Sequence, residues 1–181
     1  TYDQLEEMYQ DGAGSGIADI FMFGWFSDGH DAGYPKYDCD ETMGGFDNLK
    51  RNITKMQDSG GKIILYFSGR LIDKQTDYYH ETGERISIKQ ENGYPYPDKY
   101  QFDGHGTAFT AFGHKDFVIA CPTQTEWFEK LRQCIDLTAS LGCDGVFFDQ
   151  LGLYCPPCFD ASHGHDVPLM TLMKDKEDMV R

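Results

Sequence analysis

The sequence predicts an α/β fold with parallel strands, and three short stretches support this prediction. They are the apolar runs at residues 17–26, 62–70 and 145–149, each of which stops at polar or glycine residues. A continuous apolar run is typical of a buried parallel strand. Strands that alternate with helices imply parallel pairing through right-handed crossovers.

The elements between these strands follow from local signals. A helix is expected over residues 46–58, which carry apolar residues on one face, and it ends at Gly60. Residues 117–120 form a further apolar run, predicted as a buried strand. A second helix is expected to begin after Pro122 and to end at Gly142.

Residues 73–116 interrupt the alternation of strands and helices. Tyr, Gly, His and Pro are concentrated there, and residues 79–86 are compatible with a hairpin around Thr82 and Gly83. We therefore expect an inserted loop or hairpin that covers the active-site face.

The predicted architecture is part of a TIM (β/α)₈ barrel. Nucleotide-binding open sheets are disfavoured, since no Gly-x-Gly-x-x-Gly motif and no phosphate-binding loop with Lys follows a strand. A whole barrel needs more than ~200 residues, and the chain has 181. We expect residues 1–181 to form a single segment of a longer catalytic barrel.

Composition limits the partners of this segment. A net charge of −14 disfavours nucleic acid and anionic membranes, and no apolar run has the length of a transmembrane helix. Aromatic residues make up 14% of the chain, which suits carbohydrate as a partner. No cofactor is expected. An incomplete barrel would also expose a strand edge, through which association is expected.

The cellular compartment is only weakly indicated. Six cysteines exceed the usual number in a cytosolic domain of this size, and Asn52-Ile53-Thr54 is a glycosylation sequon. These features favour an extracellular or periplasmic location.

Asp149 is the principal candidate for a catalytic residue. It follows the apolar run Val146-Phe147-Phe148 and precedes a loop that contains Gly152. Residues that perform chemistry in α/β folds lie just beyond the carboxyl ends of such strands. The alternative is an acid that caps a helix or braces a loop.

Other polar and aromatic residues near strand ends are predicted to bind substrate. They are Trp25, Asp28, Arg70, Gln150, His163 and His165. Each has a structural alternative: Trp25 as a core residue, Asp28 in a turn with Gly29, Arg70 paired with an internal acid, and the histidines as ordinary loop residues.

A zinc site is a second interpretation of the same loop. Cys155, Cys158, His163 and His165 form a known ligand set for zinc. The short linker between the cysteine pair and the histidine pair disfavours tetrahedral closure, so a loop beside Asp149 is the favoured interpretation.

Several of these motifs occur together in an order that carries a resemblance. Trp25 and Asp28 end one strand and residues 61–66 form the next, followed later by Cys121-Pro122 and by residues 141–149 with a Gly-x-Asp turn. Over residues 17–70 and 117–165 the chain resembles the α-galactosidase (melibiase)-like clan of glycoside hydrolase barrels. Residues 155–165 look more like a poorly characterised bacterial family of glycosidase-like barrels.

The resemblance implies a retaining glycoside hydrolase with Asp149 as nucleophile. It also implies a general acid on the sixth strand, which is expected beyond Arg181, so the segment alone is expected to be inactive. Members of the clan carry Lys two residues before the nucleophile, where this chain has Phe147. Because of that departure, the resemblance does not predict which sugar is the substrate.

Two further functions are compatible with the sequence. A non-catalytic carbohydrate-binding barrel would need no general acid. A zinc-dependent hydrolase would use the loop from Cys155 to His165.

Overall fold

A computed structural model describes residues 1–98 and 116–170. The helices in these ranges are α1 (Leu5–Ala13), α2 (Gly45–Asp58), α3 (Glu84–Ile86) and α4 (Thr125–Leu141), with a π-helix at Tyr79–Gly83 and 3₁₀ turns at Tyr2–Gln4, Glu41–Met43 and Ala161–His163. The strands are β1 (Asp19–Met22), β2 (Lys62–Ser68), β3 (Leu71–Asp73), β4 (Pro97–Asp98), β5 (Phe117–Ile119) and β6 (Gly145–Asp149). Among the described residues, no helix combines the length and apolar character that crossing a membrane requires.

The chain divides into two compact units. The first contains residues 1–30, 37–67 and 131–149, and the second contains residues 31–36, 68–130 and 150–181. Each unit has its own small sheet, with strand order β1-β2-β6 in the first and β3-β5-β4 in the second.

The sheet of the first unit is parallel. Strands β1 and β2 pair in parallel from Asp19 opposite Lys62 to Met22 opposite Leu65. The backbone N–H of Asp144, just before β6, donates to the carbonyl of Ile63 near the start of β2. The far ends of β2 and β6 also meet, so β6 runs in the same direction. The α/β prediction is confirmed for these strands.

Helices α1 and α2 pack together in the first unit. The predicted apolar face of α2 is confirmed, since Leu49, Ile53 and Met56 are fully buried. The spacing of these residues places them on one side of the helix. Helix α1 was absent from the sequence prediction because glycines at positions 12 and 14 weaken its helical signal.

The sheet of the second unit is antiparallel, which differs from the expectation for residues 117–120. Strand β5 pairs with β3 on one side and with β4 on the other, both in antiparallel register. The buried strand was predicted, but its partners were not. Periodicity reports burial of a strand and not the direction of its neighbours.

Residues 79–86 are helical, which corrects the expected hairpin around Thr82 and Gly83. Gly83 has a helical φ of −60°. A Cβ atom at this position would lie 2.8 Å from Cγ2 of Ile72. The glycine therefore permits close approach of the π-helix to β3 and does not form a turn. Within the expected insertion, residues 99–115 lie outside the described residues.

Candidate active site

The carboxylate of Asp149 lies at the carboxyl end of β6 in the first unit. The hydroxyl of Tyr66 donates a hydrogen bond to Oδ2 of Asp149 over 3.0 Å. Tyr66 is near the carboxyl end of β2, the neighbouring strand, and its ring is buried. Asp149 is itself half-buried. A buried phenol thus orients a partly accessible carboxylate, the arrangement expected of a positioned catalytic acid or nucleophile.

Aromatic rings cover the same face of the sheet. The ring centroid of Tyr66 lies 4.9 Å from that of Phe23 and 6.3 Å from that of Phe147, with the Phe147 ring stacked. The Phe21 ring lies 4.8 Å from Phe147. Phe21, Phe23 and Phe147 are 39%, 49% and 43% exposed. We call Phe21, Phe23, Tyr66 and Phe147 the aromatic face.

His30 adds an imidazole to this face. Its ring lies 4.8 Å from Tyr66 and 5.2 Å from Phe23, edge-on in both contacts. His30 was not predicted from the sequence because it follows a turn and not an apolar run. Its only signal was its position shortly after the first apolar run.

Trp25 lies in the core of the first unit, which corrects its prediction as a substrate-binding residue. Its side chain is fully buried, and Nε1 donates to the carbonyl of Tyr66 over 3.1 Å. The rings of Phe26 and Phe67 pack edge-on against it. With both faces covered, the indole has no surface left for a sugar.

Asp28 lies in an exposed tight turn. The N–H of Gly29 donates to the carbonyl of Phe26 over 2.9 Å, and Gly29 has a φ of +77°. The structural alternative for Asp28, a turn formed with Gly29, therefore agrees with the geometry. Binding of substrate by Asp28 stays a prediction.

Arg70 is held by three acceptors in the second unit. Nε donates to Oε1 of Gln150 over 3.0 Å, and Nη1 donates to the carbonyl of Tyr154 over 2.9 Å. Nη2 forms an ion pair with Asp98. Pairing with an acid was the structural alternative for Arg70, and Asp98 is that acid.

The Arg70–Asp98 pair lines an open pocket of about 470 Å³. Gln90 and the aromatic rings of Tyr96 and Tyr154 also line it. Tyr154 is 69% exposed. Exposed aromatic rings beside planar charged groups suit a sugar, whose ring presents apolar faces and hydroxyl edges.

Gln150 adopts an unusual backbone conformation immediately after the candidate nucleophile. Its φ is +61°, in the left-handed region that residues other than glycine, asparagine and aspartate seldom occupy. The N–H of Leu153 donates to the Gln150 carbonyl over 3.1 Å and closes the turn. Strained residues of this kind concentrate at functional sites.

The two histidines predicted to bind substrate lie in a cysteine–histidine cluster of the second unit. Its members are Cys121, Cys158, His163 and His165, whose ligand atoms all lie within 4.8 Å of one another. The zinc interpretation of the sequence had Cys155 where the structure has Cys121. Cys121 follows β5, far away in sequence, so no local spacing could reveal it. His163 is buried and its ring is fully engaged within the unit, which corrects its prediction as a substrate-binding residue.

The pKa values of the two cysteines in the cluster are shifted in opposite directions. Hydrogen bonding from Cys121, with further bonds from the backbone of Lys89 and Asp160, lowers the pKa of Cys158 to about 4. The neighbouring Cys158 and burial raise the pKa of Cys121.

Comparison with protein families identifies the chain. Residues 4–169 match the family described as a domain of unknown function, DUF6259. The match covers most of the sequence, and the chain belongs to this family.

The chain is also similar in sequence to a bacterial protein. Over 155 residues the chain is 28% identical to a protein of Bacteroides thetaiotaomicron named "Putative glycoside hydrolase". The match covers 84% of this chain and 21% of the relative. The chain thus spans about a fifth of that protein's length.

Solved structures with a similar fold include enzymes that act on glycosides. The α-N-acetylgalactosaminidase of Bifidobacterium bifidum in complex with GalNAc has a TM-score of 0.72 at 16% identity, over 99% of this chain and 26% of its own. An α-galactosidase of Thermus thermophilus has a TM-score of 0.60 at 12% identity, over 83% of this chain and 28% of its own. A maltogenic α-amylase of Thermotoga neapolitana has a TM-score of 0.59 at 16% identity, over 86% of this chain and 36% of its own.

At such low identity these likenesses establish the fold alone. The chain is glycoside hydrolase-like, with an α/β fold that contains a parallel sheet. The predicted relationship to glycosidases of the α-galactosidase type is confirmed at this level.

Proposed function

We propose that this chain contributes part of the catalytic barrel of a retaining glycoside hydrolase, with Asp149 as the nucleophile. The observation that carries the proposal is the position of Asp149. Its carboxylate ends a parallel strand, lies beside the aromatic face and accepts a hydrogen bond from Tyr66. In (β/α)₈ barrels the strand ends of this edge supply the catalytic groups.

The reaction proceeds in two displacements. In the first, a carboxylate oxygen of Asp149 attacks the anomeric carbon, the bond to the leaving oxygen breaks, and a general acid protonates that oxygen. In the second, water attacks the glycosyl–enzyme, releases the sugar and restores the carboxylate. The acid must lie about 5–5.5 Å from the nucleophile, and it is not assigned among residues 1–98 and 116–170.

The aromatic face supports a barrel that is completed by further strands. Three phenylalanine rings on one side of a short sheet are about 40–50% exposed. Exposure of so much apolar surface to water is unfavourable in free energy. Inward-facing residues of a (β/α)₈ barrel pack in layers against residues from the other strands. We propose that the aromatic face is the barrel interior below Asp149, and that strands outside this chain cover it.

The test is glycosidase activity of the full natural protein that contains this chain. Aryl α-galactosides, α-N-acetylgalactosaminides and α-glucosides come first, because the structurally similar enzymes act on or bind sugars of these kinds. Asp149→Asn is expected to lower kcat by ~1000-fold or more, since it removes the attacking group. NMR of the first-formed sugar is expected to show retained anomeric configuration.

Asp144→Asn is the matched control, because Asp144 precedes the same strand at its opposite end. This variant is expected to retain activity. The proposal would be contradicted if none of the glycosides were cleaved or if the Asp149→Asn variant stayed active. A product with inverted anomeric configuration would also contradict it. Sugar binding without hydrolysis would favour a non-catalytic carbohydrate-binding barrel instead.

A further inference from the structure

The second unit contains a cluster of reactive side chains that the proposed glycosidase chemistry does not use. We propose that Cys121, Cys158, His163 and His165 bind one Zn²⁺ ion in a closed structural site. The proposal does not rest on glycosidase activity, because all four residues belong to the second unit and Asp149 belongs to the first.

The distances between ligand atoms fit a tetrahedral zinc ion. Sγ of Cys158 lies 3.5 Å from Nδ1 of His163, and Sγ of Cys121 lies 3.7 Å from Nε2 of His165. Zinc bonds sulfur at about 2.3 Å and imidazole nitrogen at about 2.0–2.1 Å, so a tetrahedral angle separates the two ligands by about 3.6 Å. These two edges of the cluster already match a zinc tetrahedron, and all four ligand atoms lie within 4.8 Å of one another.

In each imidazole, the outer nitrogen, which faces away from the sulfurs, lies within hydrogen-bonding distance of a backbone carbonyl. Nε2 of His163 contacts the carbonyl of Arg85 at 2.8 Å, and Nδ1 of His165 contacts the carbonyl of Asp166 at 2.7 Å. A carbonyl only accepts, so these outer nitrogens carry protons, and the inner nitrogens are the ones available to bind a metal ion. Zinc-binding histidines are oriented in this way. Asp160 lies a further 3.4 Å from Nε2 of His163.

The backbone holds the ligands in place by itself. The N–H of Cys121 donates to the carbonyl of Ile86, and Cys158 exchanges two backbone hydrogen bonds with Leu169. His163 ends the 3₁₀ turn Ala161–His163. A metal ion here would join the segment after β5 to the segment after β6, which stabilises a loop-rich region with few strands.

The ligand chemistry selects zinc and a structural role. Two thiolates and two imidazoles suit Zn²⁺ and not the hard cations Ca²⁺ or Mg²⁺. Cys121, Cys158 and His163 are buried and His165 is half-buried. Four protein ligands leave no position for a water molecule, so the site differs from that of a zinc-dependent hydrolase.

The experiment measures zinc in the full natural protein. After incubation with Zn²⁺ and removal of excess metal, elemental mass spectrometry measures the zinc content. It is expected to include one zinc ion that these residues bind. Substitution with Co²⁺ is expected to give the intense visible bands of tetrahedral cobalt and a thiolate charge-transfer band. Cys121→Ser and Cys158→Ser are expected to lose this ion and these bands.

Cys155→Ser is the matched control, because Cys155 is a buried cysteine of the same loop outside the cluster. It is expected to retain the metal. Equal loss in Cys155→Ser, retention in Cys121→Ser, or a Cys121–Cys158 disulfide in place of metal would overturn the proposal.

A measurement on the unmutated protein guards against variants that fail to fold. Alkylation mapped by peptide mass spectrometry is expected to spare Cys121 and Cys158 when zinc is present. A chelator is expected to increase their modification at least tenfold, with a smaller change at Cys143. Equal modification with and without zinc would reject the site.

Discussion

The hydroxyl of Tyr66 donates to the carboxylate of Asp149 over 3.0 Å and joins the carboxyl ends of two neighbouring strands. Further back along the strands, Asp144 and Ile63 are hydrogen-bonded through their backbones. The register of β6 is therefore fixed at both ends. Because the strand cannot slide, the position of its terminal carboxylate is defined by the sheet and not by a loop.

Tyr66→Phe tests this orientation. The variant keeps the buried ring and removes only the hydrogen bond to Asp149. A hydrogen bond to a charged group contributes about 1.5–3 kcal/mol, so kcat is expected to fall ~10- to ~150-fold. Steady-state kinetics on the glycoside that the full natural protein cleaves would measure this loss, with KM nearly unchanged.

Tyr9→Phe provides the control. Tyr9 also donates through its hydroxyl, to the carbonyl of Ser59 over 3.1 Å, just before β2 begins and therefore at the opposite end of that strand from Tyr66. Its kcat is expected to match that of the parent. A Tyr66→Phe variant with undiminished kcat would remove Tyr66 from the site.

The sequence predicted the parallel sheet because its strands are uniform apolar runs with amphipathic α2 between two of them. It predicted β5 as a strand but not its antiparallel partners. Strands β3 and β4 are only three and two residues long, too short for any period to be visible. The helix at residues 79–86 was missed because Thr82-Gly83 has the composition of a turn.

Some residues of the candidate sites were predicted from the sequence and others were not, because sequence patterns report only local structure. Asp149 was selected from local pattern alone, since an apolar strand that ends at an acid is visible in five residues, and its role stays a prediction. His30 and Cys121 depend on contacts between segments distant in sequence. Trp25 was misassigned because a tryptophan near a strand end has the same local pattern whether its ring faces the core or a pocket.

Gly83→Ala tests the close approach of the π-helix to β3. The new methyl group would lie 2.8 Å from Cγ2 of Ile72, a fully buried branched side chain. Overpacking of this kind costs about 1–3 kcal/mol. Urea denaturation followed by far-UV circular dichroism is expected to show this decrease in the free energy of unfolding.

Gly14→Ala is the comparison for Gly83→Ala. Gly14 has a φ of −59°, and a Cβ atom there meets nothing within 4 Å. Alanine fits this backbone and restricts the unfolded chain, so stability is expected to stay equal or rise slightly. Similar losses in the two variants would show that Gly83 has no special packing role.

Asp144 is expected to make the stability of the first unit depend on pH in the acidic range. Partial desolvation opposes its ionisation, but hydrogen bonds from the Gln57 side chain and the Ile63 backbone N–H outweigh this, and the pKa of Asp144 is lowered. A carboxylate with a lowered pKa stabilises the folded state above its unfolded pKa of about 3.9, and this contribution is lost as pH falls through the folded value.

Asp144→Ala is therefore expected to lower the free energy of unfolding at pH 7 by about 1 kcal/mol through the lost hydrogen bonds. The difference from the parent is expected to shrink as the pH falls from about 4, where the unfolded carboxyl begins to be protonated, through the lower pKa of the folded carboxyl. Denaturation at several pH values measures both effects. Asp11→Ala, an exposed acid near the end of α1, should cause no loss, because a carboxylate there faces the negative end of the helix dipole. A pH-independent difference for Asp144→Ala would show that shape, and not charge, explains the contribution of this residue.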